Sequence, residues 1–250
     1  MIPNPIRKVL STFQKHQVRA LLMGGQACVL YGAVQFSKDI DFLVLADAEN
    51  FGRLHAALAE LEAERIAVPP FDAGHLARGH AVHFRCGHAD AAGLRVDVMT
   101  KLRGLADFEA LWNRRFTLTS DQGEVFELLN IGDLVQAKKT QRDKDWPVIS
   151  LLVETHYFAF AAEPTPERIT FWLQEARTPE RLVELAGRFP EECRKLSGER
   201  SLLTTALEGN LDGLRRQLME EELRDRQRDR EYWAPLRAEM EAFRRAERAP

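Results

Sequence analysis

Apolar and polar positions change period along this 250-residue chain, and each change predicts a different element. Residues 18–23, VRALLM, form a short apolar run that stops at Gly24-Gly25, the pattern of a buried strand entering a tight turn. In the QACVLYGAV that follows, Ala27, Leu30 and Tyr31 fall at helical spacing, while Gly32 weakens the last turn. In DIDFLVLAD, Asp39 and Asp41 alternate with Ile40 and Phe42. A period of two puts both carboxylates on one face of a strand and the apolar groups on the other.

From Asp47 to about Arg65 the pattern is amphipathic and helix-favouring, with Asp47 or Asn50 as cap, and Pro69-Pro70 lie in the loop beyond. HAVHFRC and LRVDVMT read as strands, and the turn-prone GHADAAG between them makes a hairpin the simplest connection. After Phe126 the periodicity is mainly helical: residues 131–140, 146–160, PERITFWLQEA and PERLVELAGRF. From Leu211 to about Arg248, Glu and Arg crowd at helical spacings, predicting one long solvated helix interrupted at Pro235. Its RDRQRDR run carries compensating Asp, so a solvated face is favoured over an RNA-contacting or partner-binding one. The fold class is α+β, a mixed α/β sheet with flanking helices followed by a helical C-terminal region. The boundary is expected near residue 125, giving domains 1–125 and 126–250.

Composition narrows this little. A hydrophobic fraction of 45% and a charged fraction of 29% are those of an ordinary globular protein, which excludes disorder and fibrous repeats. No run approaches the roughly 20 apolar residues of a membrane span, and MIPNPIRKVLSTFQKHQ lacks the apolar core of a signal peptide, so no membrane and a cytoplasmic location are expected. Cys28, Cys86 and Cys193 are odd in number and widely spaced, and are read as reduced thiols. A net charge of −3 gives no global attraction to nucleic acid, so an RNA partner would need a local basic patch.

The chemistry lies in the acidic positions. A Gly-Gly turn opening a helix offers unpaired N–H groups to phosphates, although taken alone it is more often only a sharp bend. Two carboxylates on one strand face repel each other unless cations lie between them, and magnesium, with manganese as a substitute, is the hard cation such oxygens suit. Two-metal phosphoryl chemistry needs a further ligand, and Asp97 in RVDVM is the best candidate, because an isolated carboxylate in an apolar strand is costly to bury. Each Asp singly is a strand-end or turn residue; jointly they favour a metal site.

With these residues in place, MGGQACVLYGAVQFSKDIDFLV resembles the signature of the DNA polymerase β-like nucleotidyltransferase superfamily. Met23-Gly24-Gly25, a spacer, Asp39-Ile40-Asp41-Phe42 and the distal Asp97 occur in the superfamily's order, over residues 18–99. The resemblance implies a nucleotidyltransferase-fold sheet, Asp39, Asp41 and Asp97 as catalytic metal ligands, and Gly24, Gly25 and Ser37 at the nucleotide's phosphates. Many relatives have Ser where this chain has Gly25, leaving the contact there to backbone N–H groups. Ser37 either contacts phosphate or terminates the turn.

The later GDLVQAKKTQRDKDWPVISLL is similar to a helical motif of the bacterial abortive-infection (AbiEii-type) toxin nucleotidyltransferases. This implies Lys138 at the triphosphate and Asp145 orienting Lys138 or Arg142, with Arg142 and Lys139 as weaker candidates; the alternative is a charged helix start with ordinary surface pairs. The helical part would complete the cleft. A rival constellation, His75, His80, His83, Cys86 and His88, has the ligand types for zinc but not convergent spacing on a strand; His83 or Arg85 could line the cleft instead. The implied activity is magnesium-dependent transfer of a nucleoside monophosphate from a triphosphate such as ATP to an acceptor, with RNA (tRNA) or a protein hydroxyl favoured. The chain could be a toxin with a cognate antitoxin as partner. The competing readings are a non-catalytic nucleotide-binding or protein-interaction module, an enzyme modifying a small antibiotic-like hydroxyl compound, and metal-assisted hydrolysis of a phosphodiester.

Overall fold

The computed structural model describes residues 4–120 and 123–248. The chain divides into two compact units: Met1–Leu30, Gln35–Ala137 and Tyr232–Pro250 in the first, Tyr31–Val34 and Lys138–Glu231 in the second.

Among the described residues the first unit holds one seven-stranded sheet, in the order β3-β4-β5-β2-β1-β7-β6. The strands are β1 (Ala20–Met23), β2 (Asp39–Val44), β3 (Ala63–Arg65), β4 (Val82–Cys86), β5 (Arg95–Met99), β6 (Phe116–Thr119) and β7 (Val125–Leu128). Pairing is antiparallel except for β2 with β5 and β1 with β7. The helices are α1 (Asn4–Lys15), α2 (Gly24–Leu30), α3 (Ala48–Glu60), α4 (Ala73–Arg78), α5 (Phe108–Asn113) and α6 (Ile131–Lys138), whose last residue begins the second unit. The mixed α+β class expected from the periodicities is the observed one.

One face of the sheet is closed by α1, whose Ile6, Val9, Leu10 and Phe13 are buried at the i, i+3, i+4, i+7 spacing of an apolar stripe. The Phe13 ring stacks on Phe42 with centroids 4.3 Å apart. Successive strand residues point to opposite faces, so Phe42 beneath α1 leaves Asp39 and Asp41 on the other side. α3 starts at Asp47, whose carboxylate accepts from Asn50 N at 2.7 Å. Asn50 is itself buried and fully used: it accepts from Arg19 N at 2.7 Å and donates to the carbonyls of Arg19 and Leu45 at 3.1 and 2.9 Å, joining the start of β1 to the end of β2.

Two local expectations are corrected, and one hairpin is not anticipated. The helix predicted to reach Arg65 ends at Glu60, Glu62 takes φ +49°, and residues 63–65 form β3 against β4. A three-residue edge strand has too few positions to show a period, and its partner is distant in sequence. α2 stops at Leu30, before Tyr31, and Gly32 takes φ +77°. The unanticipated hairpin pairs β6, which is mostly exposed and shows no alternation, with the short β7. The β4–β5 hairpin is present as expected, closed by a short 3₁₀ turn at Ala89–Ala91.

The second unit is helical: α7 (Asp145–Phe160), α8 (Pro166–Glu175), α9 (Pro179–Arg188), α10 (Pro190–Leu196), α11 (Leu202–Leu207) and the first part of α12 (Leu211–Arg248). Proline opens α8, α9 and α10, where its missing N–H costs nothing. The core is built on Trp172, Leu173, Leu182, Leu185, Leu203 and Leu214, none with exposed surface. Arg200 is buried, donating to the carbonyls of Leu173 and Ala176 and to Glu221. α12 runs unbroken through Pro235 and is not solvated all round, since Leu214, Leu218, Asp229 and Leu236 are buried. No helix among the described residues is long and apolar enough to cross a membrane.

Candidate active site

The parallel pairing of β2 with β5 sets Asp41 beside Asp97 and Asp39 beside Arg95. On the far side of β5, His83 of β4 is the register partner of Asp97. A row His83, Asp97, Asp41 therefore crosses three adjacent strands, one residue from each. All three predicted carboxylates come together on the face that α1 leaves uncovered.

At the end of β1, Gly24 turns the chain into α2 with φ +66°. A Cβ on Gly24 would stand 1.9 Å from Asp41 Oδ2, and a Cβ on Gly25 would stand 2.4 Å from Ser37 Oγ. Gly24 is thus required by its backbone conformation and by Asp41, whereas a side chain at Gly25 would make the Ser37 hydroxyl shift. Ser37 Oγ is 3.1 Å from the carbonyl oxygen of Asp39 and 3.3 Å from its Oδ1, so the hydroxyl donates to the residue that opens the acidic strand.

Asp97 is 7% exposed and held from two sides. Arg95 Nε donates to Oδ1 at 2.7 Å and Nη2 to Oδ2 at 2.8 Å, while His83 Nδ1 lies 2.8 Å from Oδ1 and 3.0 Å from Arg95 Nη2. Burial by itself would push the Asp97 carboxyl up; the hydrogen bonds from His83 and Arg95, with their charges, outweigh it and hold the group below the ordinary carboxylate range. Arg95 is held above its ordinary value mainly by its bond to Asp97, with Asp39 and Asp41 contributing. Arg95 was not among the sequence-predicted residues, yet RVD carried the signal: two residues apart on a strand means the same face.

The donor set fits magnesium in kind, since hard carboxylate oxygens on one face are what such ions take. Among the described residues, however, no three His, Cys, Asp or Glu groups stand ready around one metal position. Asp97 is instead turned into the fork of Arg95.

Lys138, Arg142 and Asp145 meet in the second unit. Asp145, 2% exposed, accepts from Lys138 Nζ at 3.3 Å, Thr140 Oγ1 at 2.6 Å and Arg142 Nε at 2.7 Å. Burial raises the Asp145 carboxyl, but Lys138, Thr140 and Arg142 bring it below the ordinary range. Trp146 Nε1 donates to the Thr140 carbonyl at 2.9 Å and fixes the loop. Lys139 points elsewhere, to Glu175 at 2.9 Å.

Among the described residues, those of the rival zinc constellation do not converge on one metal position. His80 Nε2 lies 2.8 Å from Glu239 Oε2, His83 is on Asp97, His88 Nδ1 accepts from Asp90 N at 3.1 Å, and His75 stacks edge-on against Phe243. Cys86 is buried, which pushes its thiol up to about 11. Arg85, next to Arg95 in the register of β4 with β5, is exposed.

No family model matches the chain. No curated protein matches it. The chain is similar to the solution structure of the antibiotic-resistance factor ANT(2'')-Ia at 12% identity and a TM-score of 0.37, over 79% of this chain and 95% of that one, a level of likeness that does not carry function.

Proposed function

We propose that the chain is a magnesium-dependent nucleotidyltransferase, transferring a nucleoside monophosphate from a nucleoside triphosphate to an acceptor with release of pyrophosphate. The observation that carries this reading is the adjacency of Asp41 and Asp97 across two parallel strands, with Asp39 on the same face and Gly24 packed directly beneath Asp41. Asp39, Asp41 and Asp97 are the residues to hold the ions, magnesium or in its place manganese. When bound there, such ions neutralise charge on the attacking and leaving oxygens of the phosphoryl group.

The chain's own residues do the positioning. Gly24 and Gly25 present backbone N–H groups without a side chain in the way, and Ser37 fixes the approach to Asp39. Lys138 and Arg142, oriented by Asp145, are proposed on the sequence resemblance as cations for the same triphosphate. The acceptor is proposed to be RNA or a protein hydroxyl, and the physiological role that of a toxin held by an antitoxin partner.

The test is pyrophosphate release from each of the four ribonucleoside triphosphates with magnesium and total bacterial RNA, for wild type and Asp41→Ala. Release lost in the variant supports the reading and names the nucleotide, and the labelled product then identifies RNA or protein as acceptor. Nucleotide binding without release across acceptors replaces it with a non-catalytic binding module.

A further inference from the structure

Asp97 has two carboxylate oxygens, and both are occupied by one guanidinium. Arg95 reaches them with parallel bonds of 2.7 and 2.8 Å, the fork-on-carboxylate geometry that is strongest among charge-assisted pairs. The partners sit two residues apart on β5, so the strand itself holds them on one face. His83 braces the pair from β4, 2.8 Å from Asp97 Oδ1 and 3.0 Å from Arg95 Nη2. Asp41 and Asp39 are the register neighbours of Asp97 and Arg95 on β2, so the guanidinium lies on the sheet face that carries all three carboxylates. The Arg95 side chain is 41% exposed while that of Asp97 is 10% exposed, so the arginine can leave toward solvent and the aspartate cannot.

We propose that Arg95 is the resident counter-cation of Asp97, and that Asp97 accepts a divalent cation only by exchange, with the Arg95 guanidinium released as the ion arrives. The inference rests on the nucleotidyltransferase reading, because it takes Asp97 as a metal ligand. In that exchange one cation replaces another against the same buried carboxylate, so Asp97 is never left uncompensated, which would be costly. The released guanidinium stays beside Asp39 with a free fork suited to a phosphate. Arg95 is thus a positioning residue that acts through Asp97, setting how readily the third carboxylate enters the site.

The experiment is a titration of the full chain with Mn2+ alone, following the electron paramagnetic resonance signal of the free ion at fixed pH and low salt. It compares wild type, Arg95→Gln, Arg95→Lys, Asp97→Asn, Asp41→Asn and the Arg95→Gln, Asp97→Asn double variant. Removing the competitor is expected to tighten binding about tenfold in Arg95→Gln. Arg95→Lys should fall between, since an ammonium is a point charge without the fork. The gain should vanish in the Asp97→Asn background. A gain of equal size with Asp97 absent would reduce Arg95 to a nearby positive charge, and no gain, or weaker binding, in both Arg95 variants would equally overturn the exchange. If wild type binds Mn2+, and Asp41→Asn abolishes it, either of those results defeats the exchange and leaves the metal site standing. If neither wild type nor any Arg95 variant binds Mn2+, the metal reading falls and the exchange with it. Arg95→Lys keeps the charge on β5, so a misfolded glutamine variant does not remove the test.

Discussion

Gly24 lies so close beneath Asp41 that a Cβ on it would stand 1.9 Å from the carboxylate oxygen Oδ2, at a backbone φ of +66°. The strand-ending turn and the acidic strand are therefore one device: the turn gives up its side chain so that the carboxylate can lie over it.

A side chain at that contact should be poorly tolerated. Gly24→Ala should displace the Asp41 carboxylate and strain the turn, costing about 1–3 kcal/mol of stability. Nucleotide turnover should fall much further, on the order of a hundredfold, because misplacing a catalytic group by about 1 Å has that effect. Urea unfolding together with initial rates checks both; full activity in the variant would show that Asp41 does not need its observed position.

On the proposed reading, metal dependence is expected of the same carboxylates. Chelation with EDTA should abolish pyrophosphate release and excess Mg2+ restore it, while Asp39→Asn or Asp41→Asn should lower kcat on the order of 10²–10³-fold, the scale of losing one preorganised electrostatic contact. Steady-state rates with and without chelator decide this. Undiminished release in EDTA would remove the metals from the mechanism.

Asp145 gathers three donors in the second unit, and losing it leaves Lys138 buried without its carboxylate. Asp145→Ala should destabilise by about 3–5 kcal/mol, as expected for breaking a buried ion pair. Lys138→Ala should raise KM for the triphosphate more than Lys139→Ala, whose ammonium is bound to Glu175. Equal kinetic effects of the two lysine variants would detach Lys138 from the nucleotide.

The protein should lose stability on acidification in two stages. His156 accepts from Trp172 Nε1 at 2.9 Å through Nδ1, and burial, with Arg168 nearby, holds its pKa down to about 4. Because the folded value lies below the unfolded value, near 6.5, the unfolded chain binds the extra proton first; the contribution is full above about pH 6.5 and lost as the pH falls toward 4. Glu60, held down to about 2 by Lys15, His16 and Lys8, acts at lower pH: its contribution is present above about 4.5 and lost as the pH falls toward 2. Denaturation midpoints at pH 7, 5 and 3 test the sequence of events, and His156→Gln should flatten the first stage alone.

Much of the candidate site is legible in the amino-acid sequence, because the period of two in DIDFLV and RVDVM assigns faces without knowing the neighbours. Asp39, Asp41 and Asp97 are legible in that way. Arg95 is placed beside Asp97 by the same period, but an arginine on a strand face does not reveal in sequence that its fork closes on a neighbouring carboxylate. β3 is not legible, since Ala63-Glu64-Arg65 continues a helical composition and becomes a strand only by pairing with Arg85 and its neighbours. α12 is legible as a helix, but not its passage through Pro235: a proline interrupts a helix when packing does not repay the missing bond, and the sequence does not show that Leu236, one residue on, is buried.

The sequence by itself determined which side chains carry charge, which faces they share within each strand, and where the glycine turn must bend, because these depend on local sterics and periodicity. Only the tertiary structure decided that β2 and β5 lie side by side in parallel, so that Asp41 meets Asp97, and that Asp97 is filled by Arg95 and braced by His83. The pairing of β2 with β5 joins segments far apart in the chain, and that of Asp97 with His83 depends on the register of the β4–β5 hairpin. Their register is fixed by the burial of Ile40, Phe42, Val96 and Val98, and a slip of one residue would turn every carboxylate into the core.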